Sequence, residues 1–155
     1  MAQVLATQVE LKVPAKAIWK AFAVDGHLLL PKVVPQVISS VEILEGDGGV
    51  GTVRLVKFGP AVPGIPTVKE KIETLDEEKL TISIVGLEGG PLGTLVSSTK
   101  VTTSFGPGAD AGTSIAHWCL EVVPIGEQPP PPAEAEQGAI HTLKALEGYL
   151  LSQNN

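Results

Sequence analysis

Residues 3–12 alternate between two sets, Val4, Ala6, Gln8 and Glu10 against Leu5, Val9 and Leu11. A period of two predicts a first β-strand, because successive side chains of a strand point to opposite faces. The pattern then changes. Pro14 suits the first position of a helix, where its missing N–H would be unpaired anyway. Ala15 to Ala23 carries Ile18, Trp19 and Phe22 on one apolar side and reads as a short helix. Asp25-Gly26 breaks it, and a second short helix is expected from His27 to about Val34, in which Pro31 cannot lie deep.

From Val37 onward, short segments rich in Val, Ile and Thr follow one another: Val37 to Leu44, Gly51 to Phe58, Thr67 to Leu75, Lys79 to Leu87, Thr94 to Ser104 and Thr113 to Val123. Turn residues bound each of them, at Gly46 to Gly49, Pro60 to Pro66, Asp76 to Glu78, Glu88 to Gly93 and Gly106 to Gly112. Regular spacing of this kind predicts an antiparallel meander. No helical pattern interrupts it, which argues against parallel βαβ units. Pro129 to Pro132 is a stiff lead into a long helix from Ala133 to Ser152. There Ala139, Leu143, Leu146 and Leu150 recur at helical spacing, widened by Ile140 and Ala145. About 19 residues at 1.5 Å each make a rod of roughly 28 Å. The expected fold is α+β, with the long helix laid across one face of a highly curved antiparallel sheet. Residues 1–155 are expected to form a single domain.

Composition narrows the function. At 155 residues, folding buries about 68–70% of the unfolded chain's surface, so a sizeable core can form. The formal net charge of −6 disfavours nucleic acid or an anionic membrane as partner. No run approaches the ~20 apolar residues of a membrane span. The N-terminus lacks the basic and apolar regions of a signal peptide. Cys119 is the only cysteine, which excludes an internal disulfide. A cytoplasmic location is the simplest expectation. Aromatic residues make up only 4% of the chain, so any hollow interior would have mostly aliphatic walls.

Glu45-Gly46-Asp47-Gly48-Gly49-Val50-Gly51-Thr52 is the most conspicuous local signal. A glycine-rich loop can cradle phosphate with its backbone N–H groups. A P-loop, however, needs Gly-Lys-Ser/Thr opening a helix, and Thr52-Val53-Arg54 opens a strand. The other reading is a tight turn whose glycines take positive φ. His27, His117 and His141 have no ligand spacing. His117 and Cys119 share one strand face, but two ligands do not make a zinc site. A nucleophilic cysteine would also need a base and an orienting group. No metal is expected, and Ala116, Trp118 and Leu120 are read as inward with His117 in solvent.

Two charged residues fall among apolar ones. Val68, Glu70 and Ile72 share one strand face; Thr52, Arg54, Val56 and Phe58 share another. If these faces point inward, Glu70 is a buried carboxylate that can act as acid, base or hydrogen-bond anchor. Arg54 then needs a partner, either Glu70 or an anionic or carbonyl-bearing ligand. The alternatives are a strand-edge Glu70 paired with a neighbouring cation and, after a bulge, a solvated Arg54. An arginine among aliphatic walls is the pattern of a pocket with few placed polar groups.

Several segments together resemble the plant pathogenesis-related class-ten proteins, the family of the major birch pollen allergen. They are Ala21 to Gly26, Pro31 to Gln36, Ile38 to Glu42, the Gly46–Thr52 loop, Val68-Lys69-Glu70, Glu88 to Gly93 and Ala145 to Leu151. The resemblance runs in order from about residue 3 to 152. It implies a seven-stranded sheet gripping the C-terminal helix, two short helices bracing the helix end, and a large internal cavity. By position it implies a lining of Phe22, His27, Arg54, Val56, Phe58, Glu70, Ile82, Ile84, Val101, Ala139, Thr142 and Leu143. Trp118 joins that lining from strand alternation alone. Birch-type members carry tyrosine where this chain has Ile82 and Ile84, which implies a drier, more aliphatic pocket.

The resemblance implies a carrier of small apolar or amphiphilic plant molecules such as phytohormones, flavonoids or alkaloids, linked to defence and in the family also to abscisic acid signalling. No cofactor, DNA or membrane partner is expected, and a monomer is. Two other functions stand beside this. The sequence also resembles, more distantly, norcoclaurine synthase, whose chemistry needs a Lys, a Tyr, a Glu and an Asp. The Glu falls on Glu70, but the Tyr falls on Val68, the Lys on Ile82 and the Asp near Val101, so that reaction is rejected. A different reaction using Glu70 as catalytic base stays open. A weak ribonuclease is the third reading, opposed by the acidic charge and few aromatics. Opening of the cavity is expected at the Glu45–Thr52 and Pro60–Pro66 loops.

Overall fold

The computed structural model describes residues 2–62, 67–90, 92–128 and 133–153. Strand β1 (Gln3–Leu11) leads into α1 (Ala15–Trp19), a π-helical turn (Lys20–Val24) and α2 (Gly26–Val33). Six strands follow: β2 (Ile38–Glu45), β3 (Val53–Phe58), β4 (Thr67–Asp76), β5 (Thr81–Gly89), β6 (Val96–Pro107) and β7 (Ser114–Pro124). The chain ends in α3 (Ala133–Gln153). The strands form one antiparallel sheet in the order β1-β7-β6-β5-β4-β3-β2, a meander with β1 added beyond β7.

The element order agrees with the periodicity. One local detail differs from it. The first helix does not run evenly to Ala23. It widens after Trp19, where the Asp25 N–H donates to the Lys20 carbonyl, five residues back. Pro31 lies in the last turn of α2, not deep in the helix, so only one intrahelical hydrogen bond is forgone. The Pro129–Pro132 lead and residues 63–66 of the expected Pro60–Pro66 loop lie outside the described residues.

The core gathers where the C-terminal end of β1 meets α1, α2 and the C-terminal half of α3. Val9, Leu11, Ile18, Trp19, Ile72, Ile82, Phe105, Leu143 and Leu146 are all buried there. The Phe22 ring packs edge-on against Phe105 at 5.9 Å. Lys32 of α2 lies over the Tyr149 ring of α3 at 5.3 Å, a cation–π contact between the two helices.

Three polar contacts set the direction of α3. Gln3 Nε2 donates to the Gln128 carbonyl just before the helix. Lys144 Nζ donates to the Glu10 carbonyl, and the Lys12 N–H donates to Glu147 Oε2 at 2.6 Å. The helix therefore runs parallel to β1, with its N-terminal half beside the start of that strand. Glu147 is 9% exposed. Glu147→Ala should leave the Lys12 N–H without its acceptor and cost about 1–3 kcal/mol. Urea unfolding measures the loss, and faster hydrogen exchange at the Lys12 amide locates it.

Candidate functional site

The strand registers show what lines the inward face of the sheet. One row runs from Ile72 through Ile84, Val101 and Leu120 to Leu5 across β4, β5, β6, β7 and β1. A parallel row on the core side holds Ile82, Thr103, Trp118 and Thr7. On the other side, Arg54 of β3 faces Glu70 of β4, and Val56 faces Val68. Strand alternation puts Phe58 on this face with Val56. Of these, Ile72, Ile82, Val56, Thr103, Arg54 and Trp118 are buried. Ile84, Val101, Leu120 and Leu5 are inward yet only half-buried. In the N-terminal half of α3, Ala139 is half-buried and Thr142 buried. The inward row thus keeps accessible surface beyond Ile72.

The expected lining residues divide accordingly. Phe22, Ile82 and Leu143 belong to the packed core or lie against it. Thr142 spends its hydroxyl on the Gly138 carbonyl at 2.8 Å. On the inward face Val56 and Trp118 are buried, and Phe58, Ile84 and Val101 are half-buried. His27 stands apart in the first turn of α2, half-buried, with no hydrogen bond among the described residues.

The structure brings Arg54 and Glu70 together. Arg54 Nη2 donates to Glu70 Oε1 at 2.6 Å. Arg54 is 7% exposed, and the Glu70 side chain keeps 18% of its surface. The guanidinium Nε is buried and has no hydrogen-bond partner among the described residues. Of the two readings left open for Arg54, the inward one is observed. The inward face thus carries one charged pair of opposite sign among aliphatic side chains. Lys69 and Lys71, which flank Glu70 in sequence, alternate to the other face. There Glu73 pairs with Lys100 at 2.8 Å, which raises the Lys100 pKa through that hydrogen bond and the charge of Glu73.

The glycine-rich loop is a turn, and four of its N–H donors are already used. The Gly48 N–H donates to Thr52 Oγ1, and the Gly49 N–H to Asp47 Oδ1. The Gly51 N–H donates to the Ile72 carbonyl, and the Thr52 N–H to the Gly49 carbonyl. Gly46, Gly48 and Gly51 take positive φ, between 91° and 101°, which explains the residue type. A Cβ on Gly46 would also come within 2.7 Å of Thr52 Oγ1. These four N–H groups are bound within the fold and are not free for a phosphate. The same bonds brace this segment from within.

His117 is exposed on the outer face, while Ala116 and Trp118 are buried, as alternation predicts. A shallow depression of about 380 Å³ lies on that outer face beside His117 and Cys119. Burial, with the charge of Glu121, pushes the Cys119 thiol pKa up. That works against the thiolate a nucleophile requires. Sequence reasoning missed Glu147, whose carboxylate ties α3 to the end of β1. The available signal was its position four residues after Leu143, on the buried stripe.

Comparison with known proteins places the chain. A family profile described as "Pathogenesis-related protein Bet v 1 family" matches residues 1–153. The chain is 36% identical to pathogenesis-related protein 2 of Petroselinum crispum, over 94% of this chain and 92% of that one. It is 32% identical to the major strawberry allergen Fra a 1-2 of Fragaria ananassa, over 92% and 90%. Among solved structures, that of Ara h 8.0201 superposes with a TM-score of 0.81 at 29% identity, covering 98% of this chain and 99% of that one. Norcoclaurine synthase from Thalictrum flavum, in complex with dopamine and hydroxybenzaldehyde, superposes with a TM-score of 0.78 at 24% identity, covering 98% and 88%. At that identity the likeness is one of fold. Among the described residues no helix is long and apolar enough to cross a membrane.

Proposed function

The chain belongs to the pathogenesis-related protein Bet v 1 family, and from that premise we propose that it is a defence-related carrier of small hydrophobic plant metabolites or hormones, acting as a monomer in the cytoplasm. The observation that carries this reading is the row Ile84, Val101 and Leu120, which faces inward and is yet half-exposed. Apolar side chains in a concavity that the helix does not fill gain free energy from an apolar guest. At ~25 cal/mol per Å², a guest burying roughly 300 Å² of apolar surface gains about 7 kcal/mol before the cost of immobilising it. Arg54 and Glu70 supply the few polar contacts that orient it.

A cavity enzyme is the second reading. It is favoured by the half-buried Glu70 carboxylate, set in the concave wall where a general base could reach a bound molecule. The apolar Val68, Ile82 and Val101 do not supply the further groups of an amine–aldehyde condensation.

Native mass spectrometry of the protein purified from its own tissue separates the two. A carrier is expected to retain one defined small molecule, released and identified on denaturation. A substrate together with its product would favour the enzyme. An empty protein that also fails to take up the neutral dye Nile red would overturn the carrier reading.

A further inference from the structure

Helix α3 is held unevenly along its length. Its buried residues all lie between Thr142 and Glu147. The two polar ties to β1, from Lys144 and Glu147, fall in the same stretch. The contact of Tyr149 with Lys32 lies just beyond it. From Ala133 to Gly138 no residue is buried. No side chain of that stretch makes a hydrogen bond or ion pair among the described residues. Glu136 stands on the helical stripe of Ile140, Leu143 and Glu147, half-buried. A carboxylate without a partner there works against close docking of this end.

Gly138 sits where the anchoring stops. Glycine is a poor helix former. Packing does not call for it, because a Cβ at Gly138 would meet nothing within 4 Å outside the helix's own backbone. Thr142 Oγ1 donates to the Gly138 carbonyl at 2.8 Å. Such a bond, from a threonine to the carbonyl four residues back, weakens and bends helices. Two weaknesses of the helix thus coincide at one carbonyl. The unanchored stretch lies beside the start of β1, given the ties of Gln3 to Gln128 and of Glu10 to Lys144. There Leu5, Leu120 and Val101 face inward and keep accessible surface.

We infer that Ala133–Gly138 is a gate: it swings on Gly138 while the rest of α3 stays docked, and admits an apolar guest to the Leu5, Leu120 and Val101 end of the inward row. This rests on the carrier reading, whose site the gate serves. Opening carries Gly138 out of helical geometry. Glycine in place of alanine at that position makes opening about fivefold more frequent. A guest that enters and leaves only through the open state has both rates set by that frequency. Its affinity is not, because the closed complex is the same.

The test is Gly138→Ala in the full-length protein, with Nile red uptake and release followed by stopped-flow fluorescence. The added methyl enters open space, so the variant is expected to fold. Association and dissociation are each expected to slow about fivefold, with the Kd unchanged. Hydrogen exchange without the dye gives a second reading. In the variant the amides at 137 and 138 should exchange about fivefold more slowly, while those of Leu146 and Glu147 keep their rates. The gate is overturned if the dye binds with both rates unmoved, or if one rate alone changes and the Kd shifts. It is also overturned if exchange slows equally along the whole helix. Dye binding in those cases leaves the carrier reading standing. If Nile red does not bind at all, the carrier reading and the gate fall together.

Discussion

Replacing Glu70 by alanine is expected to lower the unfolding free energy by about 3 kcal/mol, and the double replacement Arg54→Met with Glu70→Leu is expected to recover most of that loss. Arg54 is 7% exposed, and its guanidinium is held by the Glu70 carboxylate. Removing its carboxylate leaves an uncompensated charge, which in buried pairs costs about 3–5 kcal/mol. The 18% exposure of the Glu70 side chain puts this pair at the low end of that range, because water already reaches it. Replacing both partners with apolar side chains of similar volume removes the desolvation cost along with the attraction. Urea unfolding followed by tryptophan fluorescence from Trp19 and Trp118 measures both variants. A loss below about 1 kcal/mol for the single variant would show that water hydrates the guanidinium and that the concavity is wet at Arg54. A double variant no better than the single one would show that the pair is a net contributor to stability.

Strand alternation made the inward face legible from the residues alone. Val56 and Phe58 assign Arg54 to it, and Val68 and Ile72 assign Glu70 to it, since side chains of a strand repeat every second position. Which residue Arg54 meets is a different kind of fact. It depends on the register between β3 and β4, and the connection between those strands runs through Pro60–Pro66, whose length and turn type fix no pairing. Two partners were therefore open for Arg54 until the strands were laid side by side. On the other side of β4 the pairing with β5 also slips, between Lys69 and Glu70, where Leu87 is the extra residue beside Gly86, and again between Ile72 and Thr74.

Glu147 was hidden for a related reason. A carboxylate on a helix reads as solvent-facing unless its partner is known, and its partner is a backbone N–H 135 residues away. The resemblance implied a cavity and its lining by position, but which of those residues are buried and which keep accessible surface needed the coordinates. Ile82 and Ile84 have the same side chain on the same face of one strand, and only the packing above them differs.

That difference gives the second large effect. Ile82 is 2% exposed and lies within the core, whereas Ile84 is half-buried and packs against the core from its edge. Ile82→Ala opens a new cavity in close-packed surroundings and is expected to cost about 3–4 kcal/mol. Ile84→Ala removes atoms that border existing space, so little new cavity forms, and about 1–2 kcal/mol is expected. Enlarged residues should invert the picture. Ile82→Phe overpacks the core and is expected to cost about 1–3 kcal/mol. Ile84→Phe can extend from the core's edge at little cost and should block Nile red uptake. Thermal and urea unfolding rank the four variants, and the dye titration reports on guest uptake directly. Equal losses for the two alanine variants would mean that Ile84 is packed as tightly as Ile82. The space that the carrier reading requires would then be closed, whatever the family's fold permits elsewhere.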